Sequence, residues 1–353
     1  MQLPIPHSDA LAASQALKLL IAQEIHRHDG WIPFSRFMEL ALYAPKLGYY
    51  SGGAAKLGKD GDFTTAPEIT PLFGITLANL AMELMHAPDA KLMPNMLEFG
   101  AGTGQLAFDI LTELQVNHSV LDAYYIVELS AELRARQEQK LQAFPQVRWL
   151  DSLPTTFSGV VFANEVLDAM PIELVLRGEH GWLQRGVGVA DAASSDEIEF
   201  TAIDRPADTA IMATLSAQIP DVDTLAVGYL TEVHPVAIGF MHSLATMLKN
   251  GAGGVALLFD YGFPAAEYYL GQRDQGTLMC HYRHHAHPES FYLPGLQDIT
   301  AHVDFTAMTA AAIAGGVDVL GYTSQAAFLL NAGITKLLLR TSPENALAYL
   351  PQA

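Results

Sequence analysis

One cysteine, Cys280, in 353 residues has no second thiol to meet. That excludes an intramolecular disulfide framework and a cysteine-built zinc site, and nothing calls for an oxidising compartment. Long apolar runs are missing too. Stretches such as 254–259 fall far below the roughly 18 to 20 residues that cross a bilayer, so no membrane insertion is expected. Basic residues are scarce, 19 Lys plus Arg against 38 Asp plus Glu, for a formal net charge of −19. A surface that acidic repels phosphate backbones, so nucleic acid is disfavoured as a partner; it would attract an arginine- or lysine-bearing protein, although such charge also serves simply to keep a protein in solution. The N-terminus lacks the basic start of a signal peptide and the arginine-rich, acid-free character of a mitochondrial presequence; the expected location is cytoplasmic. Internal repeats and low-complexity tracts are absent. What remains is 50% hydrophobic and 16% charged, the composition of a folded globular chain with one large core domain and additions.

Helical spacing of Leu11, Leu17, Leu20, Ile21 and Ile25 predicts a first helix, capped by Ser8 and stopped at Gly30. A second is expected over 35–43, closed by Ala44-Pro45. A glycine-rich, aromatic loop without period follows over 44–70. Pro67 and Glu68 fit the first turn of a third helix that runs to about His86. From residue 96 short apolar runs alternate with helical stretches, the βαβ signature. Strands are predicted at 96–99, 124–128, 147–150, 159–163 and 255–259, with helices near 105–116, 130–142 and 236–249. Segments 172–233 alternate in polarity around a helix near 208–219 and read as a β-rich insertion after the fourth strand. That is the sheet edge outside which open α/β folds bind ligands. Near the C-terminus a helix begun at Asp304, a strand, a Ser324-capped helix and a Gly333 stop are expected.

The stretch "MLEFGAGTGQ", 96–105, places Gly100, Gly102 and Gly104 between a strand and a helix, where missing side chains allow a tight turn and close approach to a ligand. A dinucleotide fingerprint, Gly-x-Gly-x-x-Gly, requires glycine at position 105; Gln105 stands there, which argues against hydride transfer. Glu98 within the strand would repel a pyrophosphate and suits the α-ammonium group of S-adenosyl-L-methionine. Glu128 ends the next strand, 24 positions after Gly104, where a carboxylate accepts hydrogen bonds from ribose hydroxyls. Asp151 ends the third strand and is a candidate for the adenine amino group, although an acid after a strand also serves as a helix cap. Ala101, Thr103, Leu129 and Ser152 complete this set of candidate cofactor contacts.

Beyond the fourth strand, "GVVFANEVLDAMPIE" holds Asn164, Glu165 and Asp168. Methyl transfer to a guanidinium nitrogen needs carboxylates that hold and polarise the group. Glu165 is the first candidate and Asp168 the second, with Asn164 beside them; Asp168 also fits a helix cap. Asp260, Tyr261, His302 and Asp304 are expected to face the same cleft, with strand termination an equal reading for Asp260 and Tyr261, and Tyr49 and Tyr50 fit an arginine channel or, by default, loop packing. His281, His284, His285 and His287 cluster without carboxylate spacing, and no metal is expected.

In order along the chain, "GYY", "GDFTTAPEI", "LEFGAGTGQL", "VELS", "FANEVLDAMPIE", "LLFDYG", "DITAHVDF" and "FLLNAGI" resemble the MidA-type methyltransferases over roughly residues 30–340. The resemblance implies a doubly wound, Rossmann-like class I methyltransferase sheet with a helical N-terminal extension and the β-rich insertion after the fourth strand. It divides the chain into a region 1–90, whose loop 44–70 covers the active site, and a core 91–353, whose insertion 172–233 shapes the substrate site. It further implies symmetric dimethylation of an arginine in a respiratory complex I subunit with S-adenosyl-L-methionine as cofactor, and a homodimer is compatible with it. By motif, Gly61, Asp62, Phe63, Thr64, Pro67 and Glu68 match the covering loop, Gly100, Gly102 and Gly104 the glycine loop, Glu128 the ribose acid, and Asn164 with Glu165 the fourth-strand pair. Ala101 and Thr103 stand where the family more often has proline and arginine. The alternative is an assembly factor that binds the cofactor without catalysis and acts by holding a partner.

Overall fold

The computed structural model describes residues 3–52, 65–87, 91–190 and 198–338. Contacts group the chain into two compact units. The first comprises Met1–Lys56, Leu167–His242 and Asp260–Ala311, and the second Leu57–Val166, Ser243–Phe259 and Ala312–Ala353.

The second unit is built on five strands, β1 (Asn95–Phe99), β2 (Ala123–Val127), β3 (Val147–Leu150), β4 (Gly159–Asn164) and β5 (Gly254–Phe259). All neighbours pair in parallel, in the order β5-β4-β1-β2-β3. The chain leaves β1 toward β2 on one side and returns to β4 on the other, so the order reverses at β1. Residues 96–99 and 159–163 are buried without alternation, as expected of central parallel strands covered on both faces. Met96, Tyr124 and Phe162 from the strands meet Phe73, Leu77, Leu106 and Ile110 from helices Leu72–His86 and Gln105–Val116 in one core. At Gly74 those two helices touch: a Cβ there would lie 2.6 Å from Asp109 Cβ. The sheet is the doubly wound one expected, and its predicted strand ends agree to within about one residue.

The first unit carries an antiparallel sheet. Strands Glu173–Gly178 and Gly181–Val189 form a hairpin, Leu230–Val233 flanks one side, and Ile32–Pro33 and Phe200–Pro206 pair with Gly181–Val189. Val175, Trp182, Leu215, Tyr229, Val233 and Tyr268 fill its core. Asp208 caps helix Thr209–Gln218 by accepting from the Ile211 amide at 2.8 Å. A second, three-stranded sheet pairs Met279–Tyr282 with His285–His287 and Asp298–Thr300.

Three local expectations are corrected. The helix proposed from Pro67 to His86 is two helices, Ala66–Ile69 and Leu72–His86, broken at Thr70 with φ −156° and ψ 142°. Pro71 forces the extended conformation on the residue before it and has no amide to continue the helix. Ser8 is not a cap: helix Ser8–Arg27 starts after His7 with no side-chain cap bond, while Gly30, at φ +79°, donates to the Ile25 carbonyl and closes it as expected. No strand forms over 317–323 among the described residues. Val319 and Leu320 lie exposed there, so alternation in sequence found no sheet face to bury against. Ser324 does cap Gln325–Asn331, accepting from the Ala327 amide.

Phe162 is fully buried in β4. Phe162→Ala is expected to cost about 3–5 kcal/mol by leaving a cavity at the centre of the sheet, read as a lowered urea midpoint at unchanged slope.

Candidate active site

At the end of β1 the chain turns through three left-handed glycines, with φ +60° at Gly100, +53° at Gly102 and +77° at Gly104. Side chains disfavour that region. A Cβ on Gly100 would sit 3.1 Å from Val166 Cγ2, and one on Gly104 3.3 Å from Gln137 Cγ. The Gly100 amide donates to the Val127 carbonyl at 3.0 Å and the Gly104 amide to Ala101 at 2.7 Å. Gly104 then serves as the N-cap of Gln105–Val116. Its unpaired first-turn amides form the positive end of the helix dipole. Ala101 is buried. Thr103 donates its hydroxyl to Glu68, which ties the short helix Ala66–Ile69, with buried Pro67, to the turn.

Glu98, one residue before the turn, is 3% exposed. Tyr124 Oη donates to its Oε2 at 2.7 Å. Burial pushes the carboxyl up to about 7, against the Tyr124 bond and aided by the Glu128 charge. Glu128, at the end of β2, accepts from the Ser130 amide and from Gln137 Nε2, each at 2.9 Å. Burial raises its pKa, and those donors oppose the shift. Two donors fix the carboxylate's direction and leave acceptor capacity on its oxygens.

Gln137 was not anticipated. It is fully buried, and its Nε2 also donates to the Gly102 carbonyl at 2.9 Å while its Oε1 accepts from Trp149 Nε1 at 2.9 Å. One amide therefore joins the glycine turn, the β2 carboxylate and β3. The available signal was its position between Leu133 and Leu141 at four-residue steps, a polar group on the apolar stripe of a helix.

Asp151 stands exposed after β3 and bonds Arg134 at 2.7 Å. Ser152 is exposed as well, and Leu129 presents 78% of its surface to solvent beside Glu128. Gly61, Asp62, Phe63 and Thr64 lie outside the described residues. At the end of β4, Asn164 Nδ2 donates to Glu165 at 3.4 Å, and its Oδ1 is buried without a hydrogen bond. Glu165 is held at φ +52°, left-handed in a residue that is not glycine, by its amide's 2.8 Å bond to the Phe259 carbonyl on β5. A strained backbone of this kind concentrates at functional sites.

The first unit gathers a different set. Asp168 is 5% exposed; Tyr261 donates to its Oδ2, and its Oδ1 is buried with no hydrogen bond. Asp260 accepts from the Leu167 and Asp168 amides at 2.9 and 3.3 Å. Burial raises both carboxyls, and the Asp168 charge raises Asp260 further. Asp298 was not singled out from the sequence. It is 1% exposed and accepts from Tyr50 Oη at 2.9 Å, and Tyr50 stacks on Tyr43 with centroids 5.5 Å apart. Tyr49 meets Tyr50 edge-on. Asp304 instead caps helix Phe305–Gly315 through the Thr306 and Ala307 amides. His302 lies parallel to Phe263, 5.2 Å away, and edge-on to Tyr261. His281, His285 and His287 are carried on the paired strands of the three-stranded sheet, and His284 lies in the turn between them. Among the described residues no three His, Cys, Asp or Glu side chains are placed to hold a metal, and no helix is long and apolar enough to cross a membrane.

A parallel sheet whose order reverses at a glycine turn, with a buried acid before the turn and another ending the next strand, is the arrangement of a nucleoside-binding methyltransferase. Residues 76–323 match a family described as "Putative S-adenosyl-L-methionine-dependent methyltransferase", and the chain belongs to it. Its cofactor is S-adenosyl-L-methionine. A Burkholderia thailandensis protein crystallised with S-adenosyl-homocysteine superposes with a TM-score of 0.89 at 49% identity, covering 99% of this chain and 89% of that one. The protein arginine methyltransferase NDUFAF7, mitochondrial, of Xenopus tropicalis is 29% identical over 96% of this chain and 81% of its own length. Its Rattus norvegicus counterpart is 29% identical over 87% and 72%. These relatives are named mitochondrial, which overturns the cytoplasmic location expected from the N-terminus. A terminal address is short and independent of the folded body, so reading one end of the chain was a poor guide to compartment.

The Glu98 shift makes a signed prediction. Its folded pKa is raised, so its contribution to stability is complete below the unfolded value near 4.5 and is lost as pH rises through about 7. Without cofactor, the wild type should lose about 2 kcal/mol more than Glu98→Gln between pH 5.5 and 8.5. Parallel urea-stability profiles for the two proteins would refute this.

Proposed function

We propose that the chain is a protein arginine N-methyltransferase, and that the acceptor guanidinium is held by the carboxylates of the first unit. The observation that carries the reading is Asp168: a buried carboxyl with one oxygen bonded by a tyrosine hydroxyl and the other by nothing. Among the described residues no Lys or Arg pairs with it. Asp260 and Asp298 lie within electrostatic range of the same tyrosines and carboxyl. A carboxyl kept dry and short of one partner is completed by a cation that brings several N–H donors, which a guanidinium does. The acidic surface adds attraction for a basic protein. The names of the relatives, protein arginine methyltransferases, support the same acceptor. Symmetric dimethylation, and a complex I-type subunit as the protein modified, belong to this proposal through the family resemblance.

In the second unit we assign the cofactor to the glycine turn with Ala101 and Thr103, to Glu98 for the α-ammonium, to Glu128 for the ribose hydroxyls, and to Asn164. Pro67 and Glu68 with Gly61, Asp62 and Thr64 belong to the covering loop, and Leu129, Asp151 and Ser152 to the adenine side. The residues fit such a ligand: Asn164 Oδ1 at the sheet edge is buried without a hydrogen bond, and Gln137 joins the turn and Glu128 before anything binds. When bound, S-adenosyl-L-methionine supplies an electrophilic methyl group on a sulfonium. Glu165 and Asn164 in the second unit are proposed as catalytic residues from the sequence motif, as is Asp168 in the first, and the Glu165 backbone is left-handed. The insertion 172–233 is assigned to shaping the substrate site.

Glu128→Ala should weaken S-adenosyl-homocysteine binding by about 1.5–3 kcal/mol, the worth of hydrogen bonds to a charged group; an unchanged calorimetric affinity sinks the assignment. Asp168→Asn and Glu165→Gln should each leave that affinity within about twofold and abolish the methylarginine that mass spectrometry finds in cells carrying the wild type. Methylarginine that persists with Glu165→Gln, or is equal in cells lacking the protein, overturns the catalytic reading in favour of a non-catalytic binder.

A further inference from the structure

Arginines of this chain find acids readily. Arg36, Arg134, Arg136 and Arg185 each bond at least one carboxylate, as expected where acids outnumber bases 38 to 19. Arg177, Arg205 and Arg283 instead lie over aromatic rings, as does Arg273 in the first unit, and among these Arg273 alone has a buried nitrogen without a hydrogen bond among the described residues. Its Nε is buried with no hydrogen bond, and no carboxylate among the described residues pairs with it. Its guanidinium lies over the face of Phe263, Cζ 4.4 Å from the ring centroid. Leaving a buried charged donor unused is costly. The ring face attracts the guanidinium without giving Nε an acceptor.

A second unused nitrogen lies close by. His302 Nδ1 is also buried without a partner, and its ring lies parallel to the same Phe263. Burial, and then the Arg273 charge, lower the His302 pKa, and a hydrogen bond with the Thr277 backbone opposes the shift. His302 in turn meets the edge of Tyr261, whose hydroxyl holds Asp168. The unit thus offers an unfilled acceptor at Asp168 Oδ1 and an unfilled donor at Arg273 Nε, joined by a row of rings. The separations along that row, 5.3 Å from Tyr261 to His302, 5.2 Å to Phe263 and 4.4 Å to Arg273, are covered by an extended chain of about five residues or fewer.

We propose that Arg273, beside His302, binds a carboxylate on the protein substrate, so that this enzyme selects an arginine with an acidic residue within about five positions of it. The proposal rests on the acceptor reading above. A planar guanidinium fork matches a carboxylate in two parallel hydrogen bonds, which a lysine in this place would not supply. On a surface of net charge −19 an acidic residue is otherwise repelled, so a dedicated cation is what allows a substrate of mixed charge to dock.

The test uses the full chain with S-adenosyl-homocysteine present, at constant ionic strength. N-acetyl-glutamate N-methylamide is titrated while the Arg273 Nε–H resonance is followed by NMR, assigned by its loss in Arg273→Gln. The neutral glutamine analogue and inorganic phosphate are titrated in parallel. The expected result is a saturable shift with the glutamate probe, at least tenfold weaker binding of the glutamine analogue, and calorimetric binding lost in Arg273→Gln and weakened at least fivefold in Arg273→Lys, both with unchanged circular dichroism. No saturable shift, equal response to the neutral analogue, or equal binding by Arg273→Gln overturns the proposal; tighter binding of phosphate than of the glutamate probe overturns the carboxylate assignment. None of these readings uses methyl transfer, so absence of methylarginine in cells fails the acceptor reading alone.

Discussion

Everything placed at the edge of the second unit's sheet depends on the parallel register of β1. Phe99 stands opposite Val127 on one side and Ala163 on the other, so three strands end level. Gly100, Glu128 and Asn164 are the next residues out, or the last. The Gly100 amide carries the ladder one step further by bonding the Val127 carbonyl. A slip of one residue on either side would turn core side chains to the wrong face and carry the acids with them. Because both faces of these strands are buried, the register is the one arrangement that fills the core, and the position of the polar edge follows from apolar packing.

Both units handle their buried acids in the same way. Glu98 is bonded by a tyrosine, Glu128 by an amide side chain and a backbone N–H, Asp168 by a tyrosine, Asp260 by backbone amides and Asp298 by a tyrosine. Uncharged donors aim a carboxylate but do not cancel its charge, whereas an arginine would do both. The cost is visible in the raised pKa values of Glu98, Glu128, Asp168 and Asp260, each led by burial. An internal lysine or arginine would relieve that cost and leave less negative field for an incoming cation.

The sheet was legible in the sequence because each of its strands is a short apolar run ended by glycine or an acid, and a parallel strand needs no knowledge of its neighbour to be recognised. The glycine turn was legible because three glycines at alternate positions have few other uses. Gln137 escaped, since a glutamine is ordinary on a helix and only its burial, a tertiary fact, makes it the tie between turn and carboxylate. Asp298 escaped because a conspicuous motif around it did not say which residue faced inward. The strand expected between the Asp304 helix and Ser324 shows the limit of alternation: period two identifies a strand only where another edge is there to receive it. Thr70-Pro71, by contrast, was readable and was passed over; proline at 71 predicts the break on covalent grounds alone.

The left-handed backbone of Glu165 has a further consequence. Glycine or asparagine would occupy that geometry with less strain than glutamate does. In a population of variants ranked by heat tolerance alone, replacements at this position should rise. One torsion angle thus marks a place where local backbone preference and the side chain carried there pull in opposite directions.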